Sequence, residues 1–314
     1  MKQKGSPAAL AARVAKGDTG AASRAVSWVV DEAPGYEQLT RLLFAHAGRS
    51  HKVGLCGPPG AGKSTLLGAL IKHARAQGRK IGALVIDPSS SFSGGAFLGD
   101  RLRIQQHALD SGVFIRSLAS RGTIGGVSAT IYGAVHVMEA WGADLVFIET
   151  VGTGQDEVAI AKVADTTLYV TSPSLGDEIQ AMKAGTMEVA DLFVVNKADL
   201  PDTERAVGDI RRALSLIEKS RRSFEPPVLA VSALNETGIE DVMVAVSRHR
   251  AHLEATGEGV ARRKDQLREE VSLYITRKLY RDTLDRISAR HLDDLIAKKT
   301  DPLSLGKKLL TKKR

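Results

Sequence analysis

Downstream of residue 51, short apolar runs rich in β-branched residues alternate with stretches at helical spacing, and few folds accept that order. The runs are KVGLC (52–56), IGALVID (81–87), VFIRSL (113–118), DLVFIET (144–150), TTLYVTS (166–172), DLFVVN (191–196) and VLAVSA (228–233). Helical stretches follow at 63–77, about 99–109, about 126–141, 203–219 and 238–253. Strands apolar on both faces are buried between layers of helix, so the expectation is an α/β fold with a mostly parallel sheet. In such sheets a ligand binds at the carboxyl ends of the strands.

Both flanks read differently. Leu10, Val14, Val26, Val29 and Val30 give residues 1–50 an apolar helical face, which Pro34-Gly35 interrupts before a second helix around 37–47. Residues 260–314 are charged and helical, with Leu267, Val271, Tyr274 and Ile275 at helical spacing. The expected organisation is an N-terminal helical extension over 1–50, a main domain over 51–255 and an appended helical arm over 256–314.

The net charge of +8 raises the question of nucleic acid, but the basic residues are dispersed apart from the tail KKLLTKKR and short pairs such as Arg211-Arg212 and Arg221-Arg222. Aromatic residues are only 4% of the chain, too few for base-stacking platforms, so no nucleic-acid partner is expected. No apolar run approaches the roughly 18–20 residues that span a bilayer, so no membrane partner is expected either. The Ala-rich basic start bears a faint likeness to a mitochondrial transit peptide, yet Asp18, Asp31 and Glu32 come early, and the expected location is cytoplasmic. Cys56 is the single cysteine, so no disulfide within the chain and no cysteine cluster for zinc or nickel is available; inside an apolar run it reads as a small buried hydrophobe.

Residues Gly57-Pro58-Pro59-Gly60-Ala61-Gly62-Lys63-Ser64 fit G-x-x-x-x-G-K-[ST], directly after a predicted strand and at the start of a predicted helix. Glycines let the backbone curl so that successive N–H groups converge on one anion, and the helix N-terminus adds positive potential. Lys63 is expected to reach the β- and γ-phosphates, the Ser64 hydroxyl to bind Mg²⁺, and Thr65 to complete the binding stretch. Pro58 at the second position excludes the variant loop that carries an extra lysine there.

Asn196-Lys197-Ala198-Asp199 ends the run DLFVVN, at the same edge of the sheet. In an N-K-x-D pattern the Asp199 carboxylate accepts from guanine N1–H and the 2-amino group, a donor pair adenine lacks. A site built to pair a polar group rejects the analogue without it by factors that reach ~10⁴. The Lys197 stem is expected to cover one face of the base, and Ser232, Ala233 and Leu234 to form the small loop against the guanine oxygen. The nucleotide expected is therefore GTP, with GDP as product.

Asp87 ends IGALVID, Asp100 lies in LGDRLR and Glu149 ends DLVFIET. Carboxylates converging near strand ends need a cation or donors, which points to Mg²⁺. Two local readings stay open: Asp100 as a helix N-cap and Asp87 as the organiser of the DPSS turn. Glu149-Thr-Val-Gly152 stands where many GTPases carry D-x-x-G, with Gly152 suited to bring its N–H to the γ-phosphate. Gln155 is open between positioning water and lying on a helix surface. The glycine-rich run SRGTIGGV (120–127), with Arg121, Gly122, Thr123, Gly125 and Gly126, suits a loop ordered by the γ-phosphate, and Thr123 is a candidate contact to phosphate or metal.

With these motifs in hand, the chain resembles the MeaB/ArgK family of P-loop GTPases, which act as G-protein chaperones of adenosylcobalamin-dependent acyl-CoA mutases. The stretches that carry the likeness are GPPGAGKST, VIDPSSSFSGGAFLGDRLR, SRGTIGGV, DLVFIETVGTGQDE, SPSLGDEIQAMKAG and VVNKADL, and it covers nearly the whole chain. The resemblance implies that Ser64, Asp87, Asp100 and Glu149 form the Mg²⁺ environment, and that Gly152 with its neighbours and SRGTIGGV form switches. It implies that 174–185, with Asp177, Glu178, Gln180 and Lys183, is a further switch that meets the mutase; the residues by themselves read as an ordinary helix start. Departures exist. The Thr-Arg-Met that often follows LGD is Leu102-Arg103-Ile104 here, and Ser-Gly-Thr is Arg121-Gly122-Thr123, leaving Arg121 open between a phosphate contact and a solvent-facing role.

The function expected is a slow, partner-stimulated GTPase that gates cofactor loading of a mutase, protects or reactivates it, binds no cobalamin itself and dimerises through its arm. Two competing readings are a nickel-insertion GTPase, which calls for clustered Cys and His, and an amino-acid transport ATPase or kinase, which calls for adenine. The lone Cys56 and the NKAD stretch argue against them in turn.

Overall fold

The computed structural model describes residues 6–87, 107, 109–119, 129–150, 156–175, 184–216 and 223–311. Two compact units emerge, Met1–Lys264 and Asp265–Arg314.

In the first unit the chain begins with three helices, α1 (Pro7–Ala15), α2 (Thr19–Val30) and α3 (Tyr36–Phe44). The sequence reading expected two. The missed break is at Gly17, whose φ of +80° ends α1, and at Asp18, whose carboxylate caps α2 by accepting from Ala21 N–H at 2.8 Å. Leu10, Val14, Val26, Val29, Leu39 and Leu43 are buried, as the apolar spacing requires, while Val30 is only half-buried. These helices pack on α5 (Ala129–Trp141). Trp141 is buried and its indole N–H donates to Gly17 O at 3.0 Å, tying the end of α1 to α5.

The sheet contains β1 (His51–Cys56), β2 (Ile81–Asp87), β3 (Val113–Ala119), β4 (Leu145–Thr150), β5 (Thr166–Thr171), β6 (Leu192–Val195) and β7 (Val228–Ala230). Among the described residues they form one sheet in the order β3-β2-β4-β1-β5-β6-β7, with every pairing parallel. Each run named from the sequence contains a strand, with ends that coincide or move by at most three residues. The largest trim is at β7, where VLAVSA leaves the sheet after Ala230 because Ser232 turns back to pair with Thr237.

α4 (Lys63–Ala76) crosses from β1 to β2 and buries Leu66, Leu67, Leu70 and Ile71 against Val53, Leu55, Phe147, Leu168 and Val194. α6 (Asp156–Ala161), α7 (Ala184–Val189), α8 (Thr203–Ser215) and α9 (Ile239–Thr256) complete the covering. The helix expected over 203–219 gives way to a turn at 216, with 217–219 outside the described residues; of the helix expected over about 99–109, residues 107 and 109 are in turns and the rest lies outside the described residues, as does 126–128.

The amino edge of the sheet holds a buried polar cluster. Thr166 Oγ lies 2.8 Å from both His51 Nε2 and His249 Nδ1. Asp191 receives a two-pronged Arg262 fork at 2.7 and 2.8 Å, and Lys52 pairs with Asp165 at 2.9 Å. Burial pushes the His51 imidazole down to about 4, against the opposing pull of Asp165, and pushes His249 down likewise. A cavity of about 490 Å³ opens at this edge, lined by His51, Gln77, Asp144 and Arg250 among others. None of the expected site residues lines it.

α10 (Glu258–Leu284) starts in the first unit and continues into the second, which adds α11 (Ala289–Ile296) and α12 (Pro302–Thr311). Ser288 and His291 form a reciprocal capping box at the start of α11. Leu305 and Leu309 are buried, whereas Val271, Tyr274, Ile275, Leu279 and Tyr280 along α10 are each about half exposed.

Candidate nucleotide site at the carboxyl edge of the sheet

The loop from Gly57 to Gly62 joins β1 to α4, and its shape explains where the motif needs glycine. Gly57 has a φ of +130°, and a Cβ there would run into the Val170 carbonyl of the neighbouring strand. Gly62 has a φ of +85° and caps α4; a Cβ there would strike the Asn196 amide. Any other residue would strain the backbone at either position, and at Gly57 it would also push the ends of β1 and β5 apart.

Lys63 is buried, and its ammonium donates to Gly57 O at 2.8 Å and Pro58 O at 2.9 Å, so it already points into the curl of the loop. Pro59 and Gly60 are exposed at the tip, and Ala61 is buried. Ser64 and Thr65 occupy the first turn of α4. The Ser64 hydroxyl donates to Glu149 Oε1 at 2.6 Å, from α4 to the end of β4. Glu149 is only 2% exposed. A buried carboxylate beside a helix N-terminus and a hydroxyl is a hard-oxygen donor set, which suits Mg²⁺. β2 pairs with β4 through Val85↔Glu149 and Ile86↔Thr150, so Asp87 closes β2 at this same edge. Ser64 and Glu149 thus meet directly, and Asp87 shares their edge.

Asn196 is buried and bridges two loops. Its amide N–H group donates to Ala61 O at 2.9 Å, and its amide oxygen accepts from Ala233 N–H at 3.0 Å. One side chain therefore sets the distance between the glycine-rich loop and the turn after β7. Lys197 takes a left-handed backbone with φ of +61°, while Ala198 N–H bonds Val231 O at 2.9 Å. Asp199 is exposed at the surface, and its carboxylate accepts from the Ser232 hydroxyl. Leu234 is 78% exposed at the tip of the same turn. Asn196, Lys197, Asp199, Ser232, Ala233 and the glycine-rich loop are thus brought to one edge.

Asp100, Arg121, Gly122, Thr123, Gly125, Gly126, Gly152, Gln155, Asp177, Glu178, Gln180 and Lys183 lie outside the described residues. Lys72 on α4 donates to both carboxylate oxygens of Glu236, at 2.5 and 2.8 Å. Residues 164 positions apart and in no motif leave no signal of such a contact.

The parallel sheet, with a glycine-rich loop, a lysine and a helix N-terminus at the carboxyl edge of β1, defines a P-loop nucleotide-binding protein. The family model for the methylmalonyl Co-A mutase-associated GTPase MeaB matches residues 22–288, and the chain belongs to that family of GTPases. A Pyrococcus horikoshii protein named as a GTPase is 39% identical over 306 residues, 96% of each chain. GTPase ArgK of Escherichia coli is 35% identical over 274 residues, which is 85% of this chain and 81% of the relative. A crystal structure of an LAO/AO transport system kinase superposes with a TM-score of 0.72 at 26% identity and covers 98% of both chains. The expected α/β P-loop GTPase fold and the GTP-hydrolysing activity both stand.

Proposed function

We propose that the chain is a GTP-dependent chaperone of an adenosylcobalamin-dependent acyl-CoA mutase of the methylmalonyl-CoA mutase type. It gates cofactor loading, protects or reactivates the mutase, and binds no cobalamin itself. The observation that carries the reading is the match over residues 22–288 to a family described as methylmalonyl Co-A mutase-associated.

The site supports a chemistry that is mostly positioning and charge neutralisation. The Lys63 ammonium exchanges two neutral carbonyl acceptors for the anionic β- and γ-phosphate oxygens. The N–H groups at the start of α4 hold the phosphates, and Gly152 adds one at the γ position. Ser64, Asp87, Asp100 and Glu149 are the residues to hold Mg²⁺, which when bound neutralises charge on the phosphate oxygens. Asp199 reads guanine N1–H and the 2-amino group, Lys197 covers the base, and Ser232-Ala233-Leu234 close on its oxygen. Gln155 positions the attacking water. Turnover is slow alone and faster with the partner.

Residues 1–50, 51–255 and 256–314 act as helical extension, GTPase domain and arm. Residues 120–127, with Arg121, Gly122, Thr123, Gly125 and Gly126, the neighbours of Gly152, and 174–185 are the switches, and the last, with Asp177, Glu178, Gln180 and Lys183, meets the mutase. The arm makes a homodimer, for which the half-exposed Val271, Tyr274, Ile275 and Leu279 supply apolar surface. The protein works in the cytoplasm. No helix among the described residues is long and apolar enough to cross a membrane.

The test is a pull-down from the native lysate with the chain loaded with a non-hydrolysable GTP analogue, read by mass spectrometry. Recovery of a cobalamin-dependent mutase, weaker with GDP, is the expected result. Recovery of a nickel enzyme or a periplasmic binding protein in its place overturns the reading.

A further inference from the structure

We propose that Lys72 and Glu236 are a positioning pair for the base site, an ionic strut that fixes the tip of the turn 232–237 to the helix that carries the phosphate loop. The inference rests on the reading of Asp199 and this turn as the guanine site.

The turn is a closed unit. Ser232 and Thr237 exchange two backbone hydrogen bonds at 3.1 Å each, so the residues between them form a loop with one entrance. Within it, Asn235 N–H donates to Ser232 Oγ at 3.3 Å, and the Ser232 hydroxyl in turn donates to Asp199. Whatever orients this turn orients the Asp199 carboxylate.

Beside the core packing of Ala233 and Ile239 with Leu66 and Leu70, two side-chain attachments among the described residues join the turn to the phosphate loop and its helix. The first is at its base, where Asn196 holds Ala233 N–H and Ala61 O together. One attachment leaves a hinge. The second is at its far end, where both Glu236 oxygens meet the Lys72 ammonium at 2.5 and 2.8 Å. Lys72 stands nine residues after Lys63 on α4, about 13 Å along the axis at 1.5 Å per residue. The strut therefore acts at a distance from the phosphates and fixes an angle rather than adding a ligand.

The backbone of Glu236 makes the second point independently. Its φ is +56°, a left-handed conformation that costs a non-glycine residue free energy. Glycine or asparagine would hold the turn with less strain. The glutamate instead places a carboxylate over α4.

Both side chains are about half exposed, so the strut is worth a few-fold in affinity and is weakened by salt. Those two properties separate it from packing. The sign of one variant separates it from the general field of the protein. Glu236→Lys adds positive charge near an anionic nucleotide, so a field effect alone would tighten binding, whereas loss of the strut loosens it.

The experiment measures GDP affinity by calorimetry for Lys72→Glu, Glu236→Lys and the double charge reversal, with a thermal midpoint for each. At about 0.05 M salt each single variant should bind GDP about two- to fivefold more weakly. The double reversal should return to within about 1.5-fold of the native protein. At about 1 M salt the gap between native and single variants should close. Unchanged affinity in both singles, tighter binding by Glu236→Lys, or a loss that persists in the double reversal overturns the proposal. Asp199→Asn serves as the separate control. If it fails to favour xanthosine nucleotides, the base-site reading falls. If it does favour them while both single reversals bind GDP like the native protein, only the strut falls.

Discussion

The Ser64 hydroxyl and the Glu149 carboxylate meet at 2.6 Å between the first turn of α4 and the carboxyl end of β4. That contact sets a buried carboxylate beside the phosphate loop, at the position proposed for Mg²⁺. Glu149→Gln keeps the shape and removes the charge. Steady-state GTP hydrolysis at saturating Mg²⁺ should fall by about 100-fold, the scale of losing one preorganised electrostatic partner. A change of less than about threefold would remove Glu149 from the metal environment.

Lys63 is buried and held on two loop carbonyls, which keeps its ammonium aimed into the loop before any phosphate arrives. Lys63→Ala removes the charge and leaves a small void. Calorimetry should find GDP affinity down by about 100-fold or more, in line with a desolvated charge-assisted contact. Unchanged affinity would refute the phosphate assignment.

The amino edge of the sheet should make the protein acid-sensitive. His51 titrates near 4 in the folded chain because burial disfavours its charged form, against 6.5 when exposed. Below pH 6.5 the unfolded chain takes up a proton that the folded chain refuses. The stabilisation is therefore complete above about 6.5 and is lost as pH falls towards 4, with a ceiling on the order of 3 kcal/mol for this one group. His249, shifted in the same direction by burial, adds to the loss. Urea unfolding at pH 7.5, 6 and 4.5 should show a falling midpoint, and His51→Gln should flatten the slope. An identical slope in the variant would contradict the assignment.

Arg262 joins the first turns of α10 to the sheet by a fork on Asp191 and a bond to Asp165 O at 2.7 Å. Arg262→Gln leaves the Asp191 carboxylate without its guanidinium and should cost about 2 kcal/mol in urea unfolding. Paired with Asp191→Asn, the double variant should be less destabilised than the sum of the singles. Strict additivity would mean the two side chains do not couple.

Much of this arrangement was legible in the residues. A run such as IGALVID or DLVFIET announces a buried parallel strand through its β-branched apolar side chains, and GPPGAGKS between a run and a helix announces the loop. Motifs work because their members are close in the chain. The break between α1 and α2 was missed because its signal, one glycine before one aspartate, sits inside an alanine-rich stretch that otherwise reads as continuous helix. Asn196 could be placed at the edge of the sheet from its motif, but not its grip on Ala61, 135 residues earlier. Lys72 and Glu236 were silent for the same reason. Surface charges of opposite sign are common, and which two meet is settled only when the chain is folded.

Guanine selection by the Asp199 carboxylate is what makes the proposed function depend on GTP. Competition binding of GTP, ATP and xanthosine triphosphate to the native protein and to Asp199→Asn tests it directly. The native chain should prefer GTP over both. The variant, whose amide donates to the 2-carbonyl of xanthine, should reverse the GTP to xanthosine triphosphate ratio by about 100-fold or more. A native chain that binds ATP as tightly as GTP, or a variant that still strongly prefers GTP, would contradict it.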